Sequence, residues 1–175
     1  MSSYFNQILI AAEGDGTAYA SSTTPTSLLP TGAVWTMPAN FADIGKTMTL
    51  DAYGKISTTG TPTFTFSVYL AGATFAASQA ITTGSGISNL TWNLHLEWTF
   101  RNIGSGTTAN AMFSGYVIGP AGAGLVTMIP ATTPAVSSGF NSTSANAVDL
   151  YGTWSANSAS NTITLNGYKL TGPAS

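Results

Sequence analysis

The chain contains no cysteine, which excludes disulfide bonds and thiolate metal ligands and leaves the redox compartment open. It has a single histidine, His95, so it lacks the histidine pair that most zinc sites use. No apolar run approaches the roughly 18 residues needed to span a bilayer. We therefore expect no metal, no cofactor and no membrane partner.

Charge is also scarce, at 6% of 175 residues with a net charge of -2. The four basic residues are scattered and form neither the stripe that binding to DNA or RNA requires nor a polybasic membrane patch. They are Lys46, Lys55, Arg101 and Lys169. Nucleic acid is thus not an expected partner.

Serine and threonine supply about a quarter of the chain, so its polar surface consists mainly of hydroxyls and amides. So few charges give little repulsion between copies, which suits a protein fixed in an assembly. A hydroxyl-rich secreted β domain has the same composition. Composition leaves both interpretations open.

Residues 1–32 lack sustained periodicity and run into the Ser/Thr/Pro-rich stretch SSTTPTSLLPTG. The run ILIAA has no preceding positive residue, so we predict no signal peptide. An apolar cluster on a terminus favours an arm that docks on another surface, with a disordered terminus as the alternative. Its members are Tyr4, Phe5, Ile8, Leu9 and Ile10.

Residues 33–175 consist of short segments of period-two alternation, separated by turns rich in Gly, Pro, Asn and Ser. No window shows a convincing helical stripe, so we predict one all-β domain, an antiparallel two-sheet sandwich or jelly roll. The predicted strands are residues 46–56, 63–70, 91–100, 111–118, 125–130, 147–154 and 161–170.

The longest alternation is TWNLHLEWTF, residues 91–100, followed by Arg101. Its apolar positions, Trp92 to Phe100, are predicted to face the core, although the tryptophans are also compatible with a sugar-binding surface. The polar positions His95, Glu97 and Arg101 are predicted to make cross-strand contacts or a subunit interface, with a ligand site as the alternative.

Catalytic signatures are weak. IGKT at 44–47 lacks the earlier glycine of a phosphate loop, and neither HExxH nor GxSxG is present. Two facing carboxylates would allow glycoside hydrolysis, if separated by about 5 to 9.5 Å. The candidates are Asp43, Asp51, Glu97 and Asp149. We predict that the chain is not an enzyme.

Three segments in order, GKISTTGTPTFTFSVYLAGATFAAS, ISNLTWNLHLEWTFRNIG and ANAVDLYGTWSANSASNTITL, resemble a family of small structural proteins from virions of tailed bacteriophages. The resemblance covers roughly residues 33–170, and residues 1–32 carry no motif of the family. It implies a β-sandwich of jelly-roll type, often a homotrimer, mounted on a capsid as a decoration protein or head fibre, or placed on the tail. With the apolar cluster at the N-terminus, we predict such a sandwich with an extended N-terminal arm.

On this resemblance we expect a non-enzymatic virion protein, made in the host cytoplasm, whose partners are the major capsid protein lattice and its own copies. Its arm residues Tyr4, Phe5, Ile8 and Leu9 would anchor it. The alternative is a tail or fibre module that binds host-surface glycans through exposed aromatics beside Asn and Asp. Candidates for that role are Trp35, Tyr53, Tyr69, Tyr116, Tyr151 and Tyr168.

Overall fold

The structure is a computed structural model that describes residues 5–131 and 134–173. These residues form thirteen strands and no helix, which confirms the all-β prediction. The strands are β1 (Asn6–Ala11), β2 (Thr26–Ser27), β3 (Trp35–Met37), β4 (Thr47–Ser57), β5 (Thr63–Leu70), β6 (Ala73–Ala77), β7 (Ile81–Thr82), β8 (Leu90–Asn102), β9 (Asn110–Gly119), β10 (Gly122–Ile129), β11 (Ala135–Val136), β12 (Asn146–Trp154) and β13 (Thr162–Pro173).

The strands form two sheets in which the described strands pair antiparallel, so the predicted antiparallel sandwich is confirmed. Sheet A has the order β1-β13-β4-β8-β9-β10, and β11 also pairs with β9. Sheet B has the order β2-β12-β5-β6, with β3 on β12 and β7 on β5. Each of the seven predicted strands coincides with one long strand of these sheets, to within a few residues at its ends.

The core lies between the sheets and is built from the alternating apolar positions. The inward side of β8 is fully buried, as its sequence predicts, at Trp92, Leu94, Leu96, Trp98 and Phe100. Phe66 of sheet B meets Trp92 of sheet A with ring centroids 5.1 Å apart, so aromatic rings link the two layers. Each such buried side chain contributes roughly 1.5–3 kcal/mol to folding.

Residues 5–32, the predicted arm and linker, contact the sandwich at several points. The strand β1 pairs with β13 at the edge of sheet A. Tyr19 exchanges two backbone hydrogen bonds with Ile163, and Leu28 and Leu29 are buried in the core. The Ser/Thr/Pro-rich linker therefore passes from the edge of sheet A to the edge of sheet B, and its leucines are buried in the core.

Candidate functional site

The outward face of sheet A carries the chain's only histidine in a row of cross-strand partners. In register order, Asp51 of β4 lies opposite His95 of β8, which lies opposite Tyr116 of β9. The His95 Nδ1–H donates to Oδ1 of Asp51 at 2.7 Å, and Lys169 Nζ lies 3.3 Å from Oδ2 of the same carboxylate. The row thus joins an ammonium, a carboxylate, an imidazole and a phenol across four strands.

His95 and Glu97 lie on this outward face, as their alternation predicts, whereas Arg101 is the extra residue at an irregularity near the end of β8. His95 is half-buried between Asp51 and Tyr116. The ring centroids of His95 and Tyr116 are 5.4 Å apart. Glu97 and Arg101 are exposed. The structure therefore places His95 and Glu97 on one surface and Arg101 at the end of the same strand, and the role of all three in subunit contact stays a prediction.

The four candidate carboxylates lie in three parts of the molecule. Asp43 lies in the loop before β4, while Asp51 and Glu97 are diagonal neighbours on the outward face of sheet A. Such neighbours have a typical separation of about 7–8 Å. Asp149 lies on the outward face of sheet B. Among residues 5–131 and 134–173, no cluster of three or more His, Cys, Asp or Glu residues could hold a metal ion.

Asp149 is half-buried on sheet B and accepts a hydrogen bond of 2.7 Å from the Ser27 hydroxyl. Burial raises its pKa above the ordinary value, and the bonds from Ser27 and from the Leu150 backbone oppose this in part. Tyr69 and Tyr151 stack beside it with ring centroids 4.0 Å apart. Each tyrosine therefore has one ring face covered by the other.

The remaining aromatic candidates differ in exposure. Tyr53 and Tyr116 are exposed on sheet A, whereas Trp35 is half-buried against the core. Tyr168 is buried, and its hydroxyl has no hydrogen-bond partner in the part of the chain that the structure describes. Two of the six predicted aromatics thus gather with Asp51 and Asn93 on one open surface.

The IGKT segment forms the loop before β4, and its lysine is engaged. Lys46 Nζ donates to the Phe41 carbonyl oxygen at 2.6 Å and lies 4.0 Å from the centroid of the Phe41 ring. Asp43 is 3.7 Å away. Because these contacts hold the ammonium against its own loop, it does not project toward a phosphate.

An apolar patch lies on the other side of the outward face of sheet A, on β9, β10 and β11. The registers Val126–Ile118, Met128–Tyr116 and Val136–Met112 place all six side chains on that face. Val126, Met128 and Val136 are each more than half exposed. We call these six residues the β9–β11 patch, and its long outer strand, β10, contains no charged residue.

The predicted arm residues fall at the opposite edge of the sheet. Tyr4 lies outside the described residues. Phe5 and Ile8 are 76% and 63% exposed, whereas Leu9 packs partly against the core. Among the described arm residues, Phe5 and Ile8 thus present large apolar side chains outward.

The chain matches no protein-family model and no curated protein. Among its described residues, no helix is long and apolar enough to cross a membrane.

Proposed function

We propose that this chain is a non-enzymatic structural protein of a tailed-bacteriophage virion, a decoration protein that binds the assembled capsid lattice as a homotrimer. On this proposal the sandwich has jelly-roll connectivity, and the protein resides on the capsid exterior after synthesis in the host cytoplasm. The proposal rests on the sequence resemblance and on one structural observation, the apolar surfaces at both edges of sheet A.

The two edges suit two different contacts. The β9–β11 patch is a broad surface beside an uncharged edge strand, and monomers protect such edges with charges or covering segments. We assign it to self-association. Ile8 on β1 and Phe5 just before it lie at the opposite edge, and we assign them to the lattice. Three copies in one trimer would strengthen lattice binding through effective concentration.

The proposed mechanism is cementing. A protein that binds only the assembled lattice adds its binding free energy to that state and so resists dissociation of the shell. The test is whether capsids without the protein lose their contents at a lower temperature than decorated capsids. If both withstand heat and low ionic strength equally, the protein is displayed on the shell without stabilising it.

The two contacts are tested separately by light scattering and by sedimentation with capsids from the same source. The wild-type chain should have three times the 17.9 kDa chain mass and sediment with capsids. Val126→Ser with Met128→Ser should give a monomer, because it makes the patch polar. Phe5→Ser with Ile8→Ser should keep the trimer and lose capsid binding.

Ile103→Ser is the matched control, because Ile103 is an exposed apolar residue in the β8–β9 loop, outside both surfaces. It should change neither result. A wild-type monomer that ignores capsids would contradict the proposal.

The alternative function is a tail or fibre module that binds host-surface glycans. It is favoured by the placement of Tyr53, an exposed aromatic ring beside Asp51 and two asparagines, Asn93 and Asn166. Host-cell binding by a chain that ignores capsids would select this function over decoration.

A further inference from the structure

Tyr53 lies on the outward face of sheet A with its ring directed sideways over the neighbouring strand. It is opposite Gly167 of β13, and a Cβ atom added to Gly167 would overlap Cε1, Cζ and Oη of the Tyr53 ring. Gly167 does not have a positive φ, so its backbone conformation does not require glycine. Glycine at this position instead leaves room for the ring.

The strand β13 is irregular at the same point. Leu165 pairs with Gly54 and Gly167 with Tyr53, so Asn166 is an extra residue and forms a β-bulge. Bulges bend a strand and redirect side chains, and they are common beside binding sites. The Asn166 residue lines a shallow groove together with Tyr53.

That groove has a volume of about 390 Å³ and runs between β1, β13 and β4. It contains the carboxylate of Asp51 and the ammonium of Lys169, which lie 3.3 Å apart, beside the half-exposed ring of Tyr53. One acidic and one basic group cancel, so the groove attracts neither a polyanion nor a polycation. A hydrogen-bonding groove of balanced charge beside an aromatic ring suits a neutral sugar.

We propose that this groove binds a neutral saccharide, with the Tyr53 ring packed against the C–H face of a pyranose. Tyr53 is 53% exposed, so the ring retains surface that a sugar can cover. Asp51 accepts hydrogen bonds from sugar hydroxyls, while Lys169 donates to them and Asn166 does both. The His95 Nδ1–H bond to Asp51 fixes the carboxylate in place, which lowers the entropy lost on binding.

The saccharide groove and the β9–β11 patch adjoin each other on the same face, because Tyr53 and Asp51 of the groove line one open surface with Tyr116 and Ile118 of the patch. The groove lies on the β13–β4 side, whereas the patch lies on β9, β10 and β11. Asn166 and Lys169 of the groove lie on β13, which β4 and β8 separate from the patch. The inference does not depend on capsid binding, since a chain that binds no capsid still presents the groove.

The test uses the full chain and four neutral probes, lactose, maltotriose, cellotriose and chitotriose, measured by saturation-transfer NMR and calorimetry. At least one probe should bind, and Tyr53→Ala should weaken its binding at least about tenfold, because the stacking surface is removed. Asp51→Asn should also weaken binding, because the fixed acceptor loses its charge. Gly167→Ala should weaken binding by displacing the ring while Tyr53 itself is kept.

Ile103→Ser is the control, since Ile103 is exposed in the β8–β9 loop and lies outside the groove. It should leave affinity unchanged. Thermal unfolding and light scattering accompany each variant, so that loss of fold or of the trimer is distinguished from loss of sugar contact.

The proposal is overturned if none of the four probes binds at about 10 mM, a concentration higher than the dissociation constant expected of even a weak specific site. Unchanged affinity in Tyr53→Ala, or a changed oligomeric mass in that variant, would also overturn it.

Discussion

Asp51 and His95 face each other across β4 and β8, and their side chains are joined by a hydrogen bond of 2.7 Å. The two side chains are 37% and 36% exposed, so water screens the interaction substantially. Lys169 contacts the second carboxylate oxygen. The contact fixes local geometry on the face of sheet A and adds little to the stability of the fold.

A double-mutant cycle on this pair should give a small coupling. We expect Asp51→Ala and His95→Ala to show an interaction energy of about 0.2–1 kcal/mol in urea unfolding. The Thr47–Thr99 pair joins the same two strands by a hydroxyl contact of 2.8 Å and serves as the uncharged comparison. A coupling above about 2 kcal/mol would show that the pair behaves as a buried one.

Removal of the hydroxyl group is predicted to have opposite effects on stability at two buried tyrosines. The Tyr19 hydroxyl lies 2.8 Å from the Thr24 carbonyl oxygen and 3.0 Å from that of Ser22, whereas the Tyr168 hydroxyl has no partner among the described residues. Tyr168→Phe should therefore raise the free energy of unfolding by about 1 kcal/mol, and Tyr19→Phe should lower it by a similar amount. Burial, and then the charge of Asp149, raise the pKa of Tyr168, so its hydroxyl stays neutral.

Thermal and urea unfolding of the two variants check this prediction. The substitutions remove the same atom from side chains that are equally buried, so differences in burial cannot explain a difference in sign. Destabilisation by both would indicate that the Tyr168 hydroxyl is hydrogen-bonded in solution.

The raised pKa of Asp149 predicts a specific pH dependence. A carboxyl group with a folded pKa above its unfolded value of 3.8 binds its proton more tightly in the folded protein. Its contribution to stability is therefore greatest below pH 3.8 and is lost as pH rises from there through the folded pKa. Asp149→Asn should be more stable than the wild type at pH 7, since its amide remains an acceptor for Ser27 without a buried charge.

Urea unfolding at pH 3 and pH 7 tests the Asp149 prediction. The advantage of Asp149→Asn should be present at pH 7 and absent at pH 3, where the carboxyl group is protonated in both states. Asp15→Asn, in an exposed loop, is the control for the general effect of removing a carboxylate. An advantage of equal size at both pH values would contradict the assigned cause.

The long strands could be predicted because each has one buried and one outward face. In β8 the alternation continues from Trp92 to Phe100, so the period-two pattern fixes both the strand and its orientation. β1 was missed because its ILIA run does not alternate, and β6 because its small residues give a weak signal. The sequence of a strand alternates only where one of its faces is buried and the other is exposed. Edge strands are buried less regularly, so their sequences show the alternation less clearly.

The candidate site depends on pairing between residues that are distant in the sequence. The outward position of His95 follows from its own strand, but its partner Asp51 depends on the register of β4 against β8. The contact between Tyr53 and Gly167 further depends on a bulge at Asn166 in β13. Register is set by the packing of whole sheets, so no local pattern in a single sequence reveals these neighbours.

Removal of residues 1–31 should destabilise the whole sandwich rather than only detach an arm. The deletion removes β1 and β2 and three buried side chains, those of Tyr19, Leu28 and Leu29. Each contributes roughly 1.5–3 kcal/mol when fully buried, and the deletion also exposes the edge of β13 to solvent. We expect a loss of several kcal/mol in unfolding free energy and a tendency to aggregate.

A deletion of residues 1–4 is the comparison, because it leaves every one of these elements in place. Unfolding midpoints and light scattering of both truncated chains check the prediction. Loss of capsid binding in the longer deletion alone would not identify an anchor, since it would also follow from loss of the fold. The paired substitution of Phe5 and Ile8 avoids this ambiguity, because both side chains are exposed and β1 remains. If the chain beginning at residue 32 unfolds at the wild-type midpoint, residues 5–31 add no stability to the sandwich and can be removed without unfolding it.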